Sequence, residues 1–145
     1  MSKKSQFCTF FLDEHFFGVE VQKVQEVILY QEMTCVPLAP PAVRGLINLR
    51  GQIVTAIDLR CRLGFGERPI DKLFMNVILR LDNNPVSLLV DKIGDVLEVE
   101  EETFESPPET LQGLARELIG GVYKLEDRLL LILNIEKTVD LTFTL

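Results

Sequence analysis

Tryptophan is absent from this chain of 145 residues, and histidine occurs once, at His15. A nucleophile needs a base within reach, and the single histidine sits inside the Asp13-Glu14-His15 turn, where it reads as a solvated residue. There is no HExxH, no Walker A lysine and no paired CxxC, which removes the common zinc-hydrolase, nucleotide-binding and structural-zinc signatures. Cysteine is sparse: Cys8, Cys35 and Cys61 lie far apart, in no metal-ligand spacing. An odd number of such residues points to reduced thiols and a cytoplasmic protein. Long apolar runs are missing too, and nothing approaches the ~18–20 residues of a membrane span. The opening MSKKSQF has two lysines but no apolar stretch behind them, so it does not read as a secretory signal.

Positive charge is in deficit. Fifteen Lys and Arg face 22 Asp and Glu, for a net charge of −7 and a pI near 4.8. That balance excludes nucleic-acid binding through the overall field. The acidic run EVEEETFE at 98–105 lacks the turn glycine and ligand pattern of a calcium loop and reads as a solvated loop. The glycines of RGLINLRG have the wrong spacing for a phosphate cradle. Neither a cofactor nor a metal is expected.

What the chain does have is apolar material. Hydrophobic residues make up 47% and mean hydropathy is positive, enough for a core in one domain or two closely packed subdomains. The chain also repeats itself. Shifted by 69 residues, Phe10 falls on Leu79, Leu12 on Leu81, Val19 on Leu88, Val24 on Ile93 and Val27 on Val96, with Lys23 on Lys92 and Glu26 on Asp95. Shifted by 76, RGLINLRGQIVTAIDL lies over GGVYKLEDRLLLILNI without a gap. Gly45 then meets Gly121, and Asp58 meets Asn134. A duplication follows, with subdomains at roughly 7–65 and 73–139.

Each copy reads as β. FCTFFL, FFGVEV, KVQEVILY, LINL and QIVTAIDL are short aromatic or β-branched runs, with DEH and DNNP as turns. About five short strands per copy leave open edges unless they curl into a small barrel. Asp58 and Asn134 are good N-caps, so one short helix is expected after each barrel. PPAVRG and PPETLQGLAREL are expected to add a helical turn each.

One hairpin raises a question. Its tip is Arg50-Gly51 in the first copy and Glu126-Asp127 in the second. Gly51 suits a tight turn. The turn does not require Arg50, whose rigid fork of donors suits a carboxylate or carbonyl.

The order of Phe17-Gly18-Val19, Val24-Gln25-Glu26-Val27, Val36-Pro37, Val43-Arg44-Gly45, Asn48-Leu49-Arg50-Gly51 and Ile57-Asp58-Leu59-Arg60 resembles the CheW family of bacterial chemotaxis coupling proteins. Val90-Asp91, Asp95-Val96-Leu97 and Leu131 to Lys137 continue the likeness over nearly the whole chain. Thr55 stands where that family commonly has proline. The resemblance implies two packed five-stranded SH3-like β-barrels with short helices. It also implies an adaptor, not an enzyme, associated with receptor arrays at the inner face of the membrane. Its partners would be a CheA-type histidine kinase regulatory domain and the cytoplasmic tip of a methyl-accepting chemoreceptor. Carried over by position, the receptor groove comprises Val24, Glu26, Asn48, Arg50, Met75 and Val96, with Gly45 and Gly51 as turn glycines. The same scaffold in another chemosensory pathway, and a small-ligand β-barrel, stand as alternatives.

Overall fold

The computed structural model describes residues 4–65, 74–81, 84–109 and 113–140. Eleven strands and three short α-helices follow one another in it. The first half supplies β1 (Lys4–Leu12), β2 (His15–Glu20), β3 (Val24–Ile28), β4 (Val43–Leu49) and β5 (Gln52–Asp58), then α1 (Leu59–Leu63). The second half supplies β6 (Met75–Leu79), β7 (Val86–Val90), β8 (Lys92–Glu100), β9 (Phe104–Glu105), α2 (Gly113–Leu118), β10 (Ile119–Lys124), β11 (Leu129–Leu133) and α3 (Ile135–Val139). The two offsets place β1–β3 on β6–β8, and β4–β5–α1 on β10–β11–α3.

The sheets do not follow the two halves. One has the order β8-β1-β2-β11-β10-β9 and the other β3-β6-β7-β5-β4. Each half lends its first hairpin to the sheet of the other. The lending is symmetrical: β1 pairs antiparallel with β8 as β6 does with β3. Likewise β2 pairs parallel with β11 as β7 does with β5. The contiguous subdomains expected at 7–65 and 73–139 are therefore corrected to two interleaved sheets, the six-stranded one centred on β1–β2 and the five-stranded one on β6–β7. The short β9 makes up the difference in strand number. It pairs with Val122 of β10 through Glu105, where the first half has a single bridge from Thr34 to Leu46. Residue 73 and the Asp82-Asn83 part of the DNNP turn lie outside the described residues. PPAVRG forms a turn closed by Val43 N–H on the Pro40 carbonyl, at 2.9 Å, while α2 follows the second Pro-Pro segment.

Exchange explains why several strands are apolar on both faces. Ile78 and Leu89 point into the five-stranded barrel with Ile47, Leu49 and Val54. Their neighbours Val77, Leu79, Leu88 and Val90 point the other way, into the large core shared with Phe10, Leu12, Phe17, Val19, Leu131 and Leu133. Phe7, Phe16, Val99, Tyr123 and Leu130 fill the second barrel. The largest core thus lies between the sheets. Leu59, Leu63, Leu118 and Ile135 of the helices close it, and each fully buried Leu or Ile contributes about 1.5–3 kcal/mol.

The helices and glycines repeat their chemistry. Asp58 accepts from the Arg60 and Cys61 N–H groups, and Asn134 from that of Lys137, so both matched residues are N-caps. Gly45 is not a turn residue. It lies within β4 beside a bulge between Val43 and Gly45, and its partner Gly121 lies beside a bulge between Ile119 and Gly121. A Cβ on Gly45 would stand 2.7 Å from the Thr34 carbonyl oxygen, and one on Gly121 would stand 2.8 Å from that of Glu105. Both glycines admit a crossing backbone, which no side chain can displace cheaply.

Gly45→Ala and Gly121→Ala are each expected to cost about 1–3 kcal/mol of stability, from overpacking against backbone. Gly120→Ala, whose added carbon meets nothing closer than 3.8 Å, is expected to stay within about 0.5 kcal/mol of wild type. Urea denaturation of the three variants checks the contrast.

Candidate partner-binding surface

Leu49 pairs with Gln52, which leaves Arg50 and Gly51 as a two-residue hairpin loop. Their φ angles are +52° and +86°. Positive φ at both central residues is the signature of a type I′ turn, whose twist suits a hairpin. Gly51 takes that region freely, and Asn48 Oδ1 accepts its N–H at 2.9 Å. An arginine there is strained by about 1 kcal/mol or more. Its side chain explains its presence. The five-stranded sheet curls so that the tip meets its opposite edge, β3. Arg50 Nη1 donates to Glu26 Oε1 at 3.1 Å, and Nη2 donates to Oε2 of the same carboxylate. This bidentate pair clasps one edge of the barrel to the other. Hydrogen bonding from Arg50 holds the Glu26 carboxyl below the usual carboxylate range, and Glu26 raises the guanidinium in return. The pair is solvent-exposed on the arginine side, so its stabilising effect is modest and salt-sensitive.

Glu26 and Arg50 are thus joined directly, and Asn48 closes the same turn through Gly51. Ile53, directly opposite Asn48 in the hairpin, is 55% exposed and adds an apolar group that sequence reasoning did not single out. Its place one residue past Gln52 in an alternating strand was the available signal. Val24 and Met75 are placed differently. Both are half-buried against the inter-sheet core. They sit toward opposite ends of the β3–β6 pair, since Val24 faces Leu79 and Ile28 faces Asn76, which separates them by about 13 Å of strand. Val96 belongs to the other sheet, opposite Cys8, and is 58% exposed. Its repeat counterpart Val27 is also exposed.

Two arginines of α1 hold the frame behind this surface. Arg60 is 4% exposed. It donates through Nε to Asp91 Oδ1 at 3.2 Å and through Nη2 to Asp91 Oδ2 at 2.7 Å, and also to Asp13. Asp91 in turn accepts the Asp13 N–H at 2.8 Å. These groups come from α1, the β1–β2 turn and the β7–β8 junction, where the chain passes from one sheet to the other. Hydrogen bonds donated to Asp91 hold the Arg60 guanidinium well above its ordinary value. Arg62 is fully buried and donates to the Thr138, Lys137 and Asp140 carbonyls at 2.8–2.9 Å. It thereby caps the C-terminal end of α3 with a cation. Among the described residues, no group of three or more His, Cys, Asp and Glu is placed to hold a metal ion.

Arg60→Met is expected to cost about 2–4 kcal/mol, because it removes the guanidinium bonded to the largely buried Asp91, while half-exposed Asp13 regains water. Arg60→Lys keeps the charge but loses the fork, and falls between. A single coincident unfolding transition by fluorescence and circular dichroism is expected for each. For the clasp, the lowered Glu26 carboxyl contributes stability above the usual carboxylate range, and that contribution disappears as pH falls through the lowered folded value. The melting-temperature advantage of wild type over Glu26→Gln is expected to shrink on acidification and with added salt.

Comparison with known proteins places the chain. The CheW-like domain model matches residues 6–142. The chain is 32% identical over 136 residues to the chemotaxis protein CheW of Treponema pallidum, covering 91% of this chain and 80% of that one. It is 33% identical over 132 residues to the chemotaxis protein CheW of Klebsiella aerogenes, with the same coverage. It is 34% identical over 124 residues to that of Bacillus subtilis, covering 86% and 80%. The crystal structure of the scaffolding protein TtCheW from Thermoanaerobacter tengcongensis superposes with a TM-score of 0.83 at 28% identity, over 97% of this chain and 94% of that one. With a family model spanning nearly all of the described residues, and a fold of the same topology class in a solved relative, the chain belongs to the CheW-like domain family.

Proposed function

We propose that this protein is a chemotaxis adaptor that couples the cytoplasmic tips of chemoreceptors to a CheA-type histidine kinase. The relatives are chemotaxis proteins CheW, and the solved neighbour is a scaffolding protein. No described helix is long and apolar enough to cross a membrane, so association with receptor arrays at the inner face of the membrane would come through partners. The observation that carries the receptor assignment is the Arg50 hairpin: a strained turn that carries a guanidinium at the surface, next to Asn48 and exposed Ile53. A helical receptor tip offers carboxylates and an apolar stripe, which such a surface complements. Val24, Met75 and Val96 complete the proposed receptor contact on the family likeness alone.

Function here is geometry. The adaptor does no chemistry; it transmits a receptor state to a kinase by contacting the two receptor states differently. Individually modest contacts suffice when many are linked in one array. The Arg60 cluster keeps the two barrels in a fixed relation, so a displacement at one surface reaches the other.

The test is binding of the purified protein to a receptor signalling-tip fragment and to a kinase regulatory domain, with Arg50→Glu beside wild type. Wild type is expected to bind both. The variant, folded by circular dichroism, is expected to lose about tenfold or more in receptor affinity and to keep kinase binding. Unchanged receptor affinity in the folded variant removes Arg50 from the site. Failure of wild type to bind either partner from its own organism removes the chemotaxis assignment in favour of another chemosensory pathway.

A further inference from the structure

The five-stranded barrel carries a buried polar pair where the other barrel carries an apolar one. Asn76 and Ser87 are 1% and 0% exposed and lie on the barrel-facing side of β6 and β7, with Ile78 and Leu89. On the 69-residue offset they correspond to Phe7 and Gly18, and Phe7 is part of the apolar filling of the second barrel. Ser87 Oγ donates to Asn76 Oδ1 at 2.8 Å, and Asn76 Nδ2 donates to the Leu29 carbonyl at 3.1 Å. A carbonyl only accepts, so the amide nitrogen must face Leu29, which leaves the amide oxygen for the Ser87 hydroxyl. The offset also shows what this bond replaces. Ile28 pairs with Asn76 as Leu97 pairs with Phe7. Beyond that point the second barrel's ladder runs on through Gln6–Glu98, Ser5–Val99 and Lys4–Glu100. In the first barrel β3 ends at Ile28, and the Asn76 side chain takes the carbonyl of the next residue.

We infer that Asn76, oriented by Ser87, is a positioning residue for the partner-binding edge: by holding the Leu29 carbonyl where β3 ends, it keeps Glu26 in register with Arg50. The reason lies in how β3 is held. It is an edge strand, with β6 on one side only. At its start the Lys23 carbonyl accepts the Arg80 N–H at 2.7 Å, but a bulge between Val24 and Glu26 interrupts the ladder on that side. The register of Glu26 is therefore carried by its own pairing with Ile78, by those of Val27 and Ile28, and by the pin at Leu29. Exposed Leu29 and Tyr30 follow at once, so the same bond fixes where the chain leaves the sheet. Burying an amide and a hydroxyl is costly unless both are bonded. Here each bonds the other, and the amide bonds the strand that carries the clasp. The alignment of the clasp stands on this geometry, while its consequence for a partner rests on the receptor assignment of the Arg50 surface.

The experiment compares the double variant Asn76→Val with Ser87→Ala against wild type in the full chain. Replacing both partners by apolar groups leaves neither of them unpaired inside the barrel. The Glu26 carboxyl is followed by carbon-13 NMR as pH is lowered, and receptor-tip affinity is measured beside it. Arg50 holds the Glu26 midpoint low in wild type. In the double variant the midpoint is expected to rise toward the usual carboxylate range, and receptor affinity to fall about threefold to tenfold, as for one lost hydrogen bond. Ser87→Ala alone keeps the amide and removes its orienting donor. It is expected to give a smaller rise, and it carries the test should the double variant not fold. Gly121→Ala, which strains the other barrel, is expected to leave the Glu26 midpoint in place. A midpoint that stays in place in the folded variant, or that Gly121→Ala moves equally, overturns the inference. A raised midpoint with receptor affinity unchanged upholds it and overturns the receptor assignment instead.

Discussion

The parallel pairing of β2 with β11 and of β7 with β5 is the constraint on which the rest of this structure depends. It locks the first hairpin of each half into the sheet of the other half. Each borrowed hairpin then has two faces to bury, one inside its barrel and one against the opposite sheet. The apolar content of β6 and β7 meets that demand residue by residue. Neither half keeps a core of its own once the other is removed.

With the sheets interleaved, the remaining freedom is the orientation of turns and helices around them. Arg60 removes it. Its guanidinium binds the β1–β2 turn and the β7–β8 junction, while its backbone N–H donates to Asp58, the N-cap of α1. Arg62 then fixes α1 to the end of α3. A surface group such as Arg50 inherits its position from this frame. It can be both exposed and well placed, because its hairpin is anchored at the base and clasped to Glu26 at the tip. A chemotaxis adaptor achieves selectivity through groups placed in this way.

Much of this was legible in the residues. The two offsets matched β1–β3 to β6–β8 and β4–β5–α1 to β10–β11–α3, because duplicated chains keep the same alternation and the same caps. The partnering of strands was not legible. Period-2 alternation says which residues face a core, but it is the same whichever strand lies alongside. Continuous apolar runs such as Val77-Ile78-Leu79 and Leu88-Leu89-Val90 did mark strands buried on both faces. Gly45 was misread as a turn residue because the backbone that crowds it, at Thr34, belongs to no recognisable strand. The linked set Glu26, Asn48 and Arg50 followed from the family likeness. Arg60 and Arg62 had no visible role, since their acceptors lie between 31 and 78 residues away.

The exchanged hairpins also set the order in which this chain can fold during synthesis. Phe16 and Phe17 pair with Leu130 and Leu131, and Phe7 pairs with Leu97. The β1–β2 hairpin is made before its partners β8 and β11, and waits for both before its sheet is complete. Contacts of such long sequence separation are slow to form, because the loop must close before any pairing stabilises it. Through that interval a hairpin with five phenylalanines at 7, 10, 11, 16 and 17 has an unpaired edge and two apolar faces. Folding yield, more than the stability of the finished molecule, is where this architecture is vulnerable.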